Sequence, residues 1–158
     1  MIDNKKKFNP REREDEVYNR IIEIKRVSKK TKGGNTISFT ALIVVGNREN
    51  EVGVALGRGL DVLSAINKAK ARAQKNTFLV PMRGKTIPHD IQVKYGAARV
   101  LLKPAPPGSG IIASQSIKLV MEAAGYQDLS VKILGANNKT TNVNAVIEAL
   151  KKLKAYDN

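Results

Sequence analysis

Lys25–Phe39 reads KRVSKKTKGGNTISF, and how this stretch is read decides the fold. Five lysines and arginines crowd a glycine pair, Gly33-Gly34. Before it, Ile22 and Ile24 alternate with Glu23 and Lys25, the two-residue period of a half-buried strand running from Ile21 to about Lys29. After it, Thr36 to Val45 is rich in β-branched residues and places Ile37, Phe39, Ala41, Ile43 and Val45 on one face. Two strands joined across glycines make an antiparallel hairpin with a cationic tip. Such a tip can cradle a nucleotide, clamp a nucleic acid or stand as a solvated turn, and the rest of the chain has to choose.

Downstream, Gly46 to Asn50 (GNREN) is turn chemistry, and Val52, Val54 and Leu56 alternate again as a third strand before Gly57-Arg58-Gly59. Leu60 to Asn76 carries Val62, Ile66, Ala69 and Ala73 at helical spacing, so one face packs on the sheet. Lys68, Arg72 and Lys75 line another face of that helix, with Lys70 nearby. These elements make a β-β-β-α unit, and the short strand at Thr77–Val80 that ends it is expected to neighbour the second unit. VPMRGK, Val80 to Lys85, marks a boundary, and further strands are expected at Ile87–Tyr95 and Ala98–Lys103. PAPPGSG, Pro104 to Gly110, is a stiff loop opening a helix with Ile117, Val120, Met121 and Ala124 in a stripe, closed by Gly125. Leu129–Gly135 is another strand. A last helix, capped by Thr141 or Asn142, buries Val143, Val146, Ile147, Leu150 and Leu153. The fold class is therefore α+β: a mobile arm over 1–16, a β-β-β-α unit over 17–80 and a β-β-α-β-α unit over 81–158.

The composition narrows the function. Among 158 residues, 28 Lys and Arg face 14 Asp and Glu, a net charge of +14 that costs stability through self-repulsion and calls for a polyanionic partner. No cysteine is present, which removes thiolate metal sites and thiol nucleophiles. The lone histidine, His89, has no partner for a metal site and reads as structural. With no apolar run near the length of about 20 residues that a membrane span needs, and no signal-like leader, a soluble cytoplasmic protein is expected. Seven scattered aromatic residues offer no platform for stacking bases, so phosphate and sugar contacts on folded RNA are favoured over single-strand reading.

Two motifs suggest nucleotides and both fall short. MRGKT, Met82–Thr86, ends like a P-loop, but Leu79 stands where its first glycine belongs. GSGIIA, Gly108–Ala113, matches a dinucleotide fingerprint, yet Pro104, Pro106 and Pro107 separate it from the strand, and Asp128 precedes the next strand instead of closing it. No nucleophile, acid and base assemble, so no enzyme and no cofactor are expected. Lys25, Arg26, Ser28, Lys29, Lys30, Lys32, Gly33 and Gly34 on the hairpin, Arg58 at the strand–helix junction, and Lys68, Arg72 and Lys75 on the helix remain as RNA-binding residues.

These residues carry a family resemblance. NRIIEIKRVSKKTKGGNTISFTALIVVGNRENEVGVALGRGLDVLSAINKAKARAQKN resembles the N-terminal domain of the bacterial small-subunit ribosomal protein S-five family. ARVLLKPAPPGSGIIA with GANN resembles its C-terminal domain, and together they cover about Tyr18 to Tyr156. The resemblance implies a double-stranded-RNA-binding-like N-terminal domain and a C-terminal domain with a left-handed βαβ crossover. It also implies a structural constituent of the small ribosomal subunit that binds small-subunit rRNA, contacts ribosomal proteins S-four and S-eight, and lies near the mRNA entry path. Translational accuracy would depend on the interface with S-four. Ser28–Gly34 would reach rRNA, while Arg99, Lys103, Gly108, Gly110, Ile111 and Ile112 would lie where the family meets S-four and rRNA. Ser114-Gln115 departs from the two glycines that many members carry there. A free-standing double-stranded RNA or DNA binding regulator is the alternative. Neither a membrane nor a second copy of the chain is expected as a partner.

Overall fold

The hairpin is longer than its apolar period. In the structure, a computed structural model describing residues 18–135 and 137–154, β1 (Tyr18–Thr31) and β2 (Gly34–Gly46) pair antiparallel from Tyr18↔Gly46 to Thr31↔Gly34. A bulge between Ile21 and Glu23 interrupts the register. The arm expected over residues 1–16 lies outside the described residues. β3 (Glu51–Gly59) pairs with β2 only from Phe39 to Gly46, so past Phe39 the hairpin continues as a two-stranded ribbon. The two-residue period fades there because both faces of the ribbon meet solvent. The tip turns on Lys32 and Gly33, with Thr31 Oγ1 donating to the Gly34 carbonyl at 2.8 Å and Gly34 at φ +122°.

α1 (Val62–Lys75) crosses one face of this sheet, and the Asp61 side chain caps it by accepting from the Ser64 amide at 3.0 Å. Its buried row is Ala65, Ala69 and Ala73, one small residue per turn. Opposite stand Gly53, Gly57 and Gly59; a Cβ on Gly57 would press into the Ala65 carbonyl and the Ala69 amide. Val62, expected on the core stripe, is instead exposed. It lies one turn before Ala65, which already faces the last strand residue, Gly59. β4 (Phe78–Leu79) pairs with β3 and completes the order β1-β2-β3-β4.

The second sheet has the order β5-β6-β8-β7, from β5 (Ile91–Tyr95), β6 (Ala98–Pro104), β7 (Ile111–Ile112) and β8 (Leu129–Ile133). β7 runs parallel to β8, so β7, α2 (Gln115–Ala124) and β8 form a βαβ connection. Three expectations need correction. β5 starts at Ile91, not Ile87: Pro88 has no N–H for a ladder, and Ile87 plugs the core from a loop. The GSGIIA segment opens a short strand before the helix, which begins only at Gln115 after Ser114. α3 (Lys139–Lys152) starts at Asn138, whose side chain accepts from the Thr140 and Thr141 amides at 3.1 and 3.5 Å, while Asn142, one of the two expected caps, is buried inside it. Asn138→Ala is therefore expected to cost about 1 kcal/mol in a urea titration.

The two sheets share a core. Leu42, Val44 and Val52, on the face of the first sheet opposite α1, join a single apolar cluster with α2, α3 and the second sheet. The turn after β2 locks onto the end of α2: Arg48 N donates to the Ala123 carbonyl at 3.0 Å, and Gly125 closes the helix at φ +100°. Tyr18 adds a clasp, with its hydroxyl donating to Glu122 Oε2 at 3.2 Å and its ring under the Arg48 guanidinium at 4.2 Å. Tyr126 donates to the Pro81 carbonyl at 2.7 Å, and burial pushes its hydroxyl well above the ordinary tyrosine range.

Candidate nucleic-acid interface

Strand alternation divides the hairpin's cations between two faces. Register places Lys25 and Lys29 with Thr40, Ser38 and Thr36, while Arg26, Ser28 and Lys30 lie opposite Phe39, Ile37 and Asn35 on the other side. Lys32 and Gly33 form the turn, and a Cβ on Gly33 or Gly34 would meet nothing within 4 Å, so the tip backbone is open. Lys25 is partly neutralised by Glu23 at 3.6 Å. The other strand cations of the ribbon, Arg26, Lys29 and Lys30, are exposed.

At the foot of the ribbon, Lys29 from β1, Arg58 from β3 and Lys68 from α1 converge on a cleft of about 310 Å³, with Thr36, Ser38 and Leu60 in its wall. Arg58 Nε reaches Ser38 Oγ at 3.4 Å, which steadies the guanidinium across the cleft mouth. Lys68, Arg72 and Lys75 follow i, i+4, i+7 spacing and share one exposed stripe. Within it Arg72 has a structural duty, donating Nη1 to the Leu56 carbonyl at 3.2 Å. Lys70 is half-buried, two residues out of step with the stripe.

A second basic surface lies on the open face of the second sheet. Ala98, Val100 and Leu102 point into the core, so Arg99, Leu101 and Lys103 point away from α3. Lys94 stands directly opposite Arg99, and Lys132 opposite Leu101. Like charges in register weaken a sheet unless an anion lies over them. Ile112, opposite Ser130, shares this face and is 61% exposed, whereas Ile111, opposite Leu129, faces inward. Lys94 and Lys132 escaped the sequence reading, although strand alternation counted from Val93 and Val131 would have found them.

The glycine loop is closed on itself. Asp128, 6% exposed, accepts from the amides of Gly108 at 3.2 Å and Gly110 at 3.0 Å. Amides that would otherwise face a pyrophosphate are held by the chain's own carboxylate, and the helix begins five residues after Gly110. His89 acts as a clasp: its Nε2 accepts from the Lys154 amide at 3.1 Å, which leaves the proton on Nδ1 to meet the Asp90 carbonyl at 2.8 Å. Among the described residues, no three His, Cys, Asp or Glu side chains gather as a metal site, and no helix is long and apolar enough to cross a membrane.

Comparison with known proteins fits this two-sheet architecture. Residues 17–81 match the model described as "Ribosomal protein S5, N-terminal domain", and residues 93–158 match "Ribosomal protein S5, C-terminal domain". The chain belongs to the ribosomal protein S5 family. Among its relatives, the small ribosomal subunit protein uS5 of Campylobacter jejuni is 48% identical over 145 residues, covering 88% of this chain and 99% of the relative. The uS5 of Salinibacter ruber is 44% identical over 152 residues, covering 95% and 87%. The protein uS5c of Rhodomonas salina is 39% identical over 157 residues, covering 98% and 94%. The S5 resemblance read from the hairpin segment and from PAPPGSGIIA thus extends across both units. The α+β class, with a four-stranded antiparallel sheet and helix followed by a second sheet with helices, is the S5 two-domain fold.

Proposed function

We propose that this S5 protein sets its hairpin tip, Ser28–Gly34, and the basic cleft and stripe of Arg58, Lys68, Arg72 and Lys75 against the backbone of small-subunit rRNA. As a family member, the chain is a structural, ribosome-bound constituent of the small ribosomal subunit. The observation that carries the finer reading is the ribbon itself: two strands run beyond their sheet, carry a cluster of cations and end in a glycine backbone with nothing packed on it. A ribbon with that shape gains nothing for the core and suits close approach to phosphates.

The second unit, taken as residues 81–158, offers protein and rRNA contacts through Arg99, Lys103, Ile112 and the Gly108–Gly110 loop. In this reading those contacts are with S-four, with S-eight and the mRNA entry path nearby, and they bear on subunit assembly and decoding accuracy. Ile111 supports them from the core side. Asp128 fixes the loop before any partner arrives, which lowers the ordering cost of docking. Sedimentation in high-salt gradients tests the assignment. Retention with the small subunit at salt that strips loosely bound basic proteins is expected; release into the top fractions would mark a free-standing nucleic-acid-binding regulator instead.

A further inference from the structure

Leu60 and Leu63 are the oddest surface residues near the basic cleft. They are 79% and 67% exposed at the start of α1, and Leu60 also lines the cleft shared by Lys29, Arg58 and Lys68. Nothing in the fold requires apolar side chains there, since the buried row of α1 begins at Ala65. The anion-attracting end of the helix is already taken by the Asp61 carboxylate, so the positive charge in the cleft comes from its side chains. A volume of about 310 Å³ lies at the small end of ligand sites and matches the size of a single nucleotide.

We infer that this cleft receives a single unpaired RNA nucleotide, with its phosphate among Lys29, Arg58 and Lys68 and its base against Leu60. Cations from three separate elements line one small cleft, which suits a phosphodiester better than an extended groove contact. Thr36 and Ser38 provide hydroxyls beside the sugar, where a 2′-hydroxyl can donate or accept. Leu60 supplies the apolar face that this aromatic-poor chain otherwise lacks; an aliphatic wedge beside an unstacked base uses burial alone, with no ring required. This inference rests on the reading that the hairpin side of the first sheet faces RNA, and it adds that a bulged or looped-out nucleotide is recognised there.

Its test uses the full chain and two synthetic RNA hairpins with the same stem, one fully paired and one with a single bulged nucleotide. The wild-type protein should bind the bulged RNA about tenfold more tightly at equal salt. Leu60→Ser should remove that preference while leaving the melting temperature and the salt slope unchanged, because the side chain is exposed and uncharged. Lys29→Ala should instead lower the slope by about one unit on the bulged RNA. Equal wild-type affinity for both RNAs, or a preference untouched by Leu60→Ser, would overturn the nucleotide pocket and leave backbone binding standing. Absence of salt-dependent binding to either RNA would overturn both.

Discussion

Gly57→Val is expected to destabilise the chain by more than about 4 kcal/mol, enough to unfold most single domains of this size. The position lies on β3 directly beneath α1, where a Cβ would press into the Ala65 carbonyl and the Ala69 amide and stand 2.8 Å from the Ala69 Cβ. Two of these are backbone atoms of a hydrogen-bonded helix, so no rotamer change relieves the clash. The helix would have to lift from the sheet, stripping the Ala65–Ala69–Ala73 row of its contacts. Because Leu42, Val44 and Val52 lie in the core built on α2 and α3, the damage should spread and give one broadened, early transition. Circular dichroism melting measures it. A midpoint within a few degrees of wild type would mean that α1 tolerates a wider gap than the alanine row implies.

Gly33→Val is the matching control. No atom lies within 4 Å of a Cβ there, and φ is outside the left-handed region, so stability should stay within about 0.5 kcal/mol. If the tip backbone meets rRNA, assembly or RNA binding should nevertheless suffer. Equal losses in melting and in binding would make Gly33 a plain folding residue.

Replacing Lys29, Lys30 and Lys32 together with alanine should lower affinity for rRNA fragments by about two orders of magnitude at 0.1 M salt and flatten the log–log salt slope by about two to three units. The three are exposed and make no contact that the fold needs, so melting should not change. Register sharpens the expectation. Lys29 and Lys30 point to opposite faces of the ribbon, so a hairpin lying flat on a phosphate chain would spare one of them and give the smaller change. A hairpin inserted between two RNA segments would give the larger. An unchanged slope would show that all three lysines are solvated.

The sequence revealed the parts of the fold in which one face is buried and the other is not. The β1–β2 hairpin, the α1 helix, the Gly125 cap and the stripe of α2 all announced themselves through period or a special residue. Period failed where burial departs from it. Val62 looked like core, but α1 lies so close to the glycines of β3 that only alanines fit beneath it. Ile111 and Ile112 make a strand of two residues, too short to show alternation, and its partner β8 is remote in sequence. Ile87 is core without belonging to a strand. Asp128 was weighed only as a misplaced cofactor acid; its hold on Gly108 and Gly110 depends on tertiary folding. Lys94 and Lys132 belong to no motif; only their register against Arg99 and Leu101 puts them on the open sheet face. The converging Lys29, Arg58 and Lys68 were all chosen from charge, while the cleft they share, and Leu60 within it, could be seen only in three dimensions.

A density map of the assembled small subunit tests the central claim most directly. It should show the Ser28–Gly34 tip with backbone amides at hydrogen-bonding distance from rRNA phosphates, and Lys29, Arg58 and Lys68 around one of them. A tip surrounded by solvent, with rRNA passing elsewhere on the protein, would contradict the account.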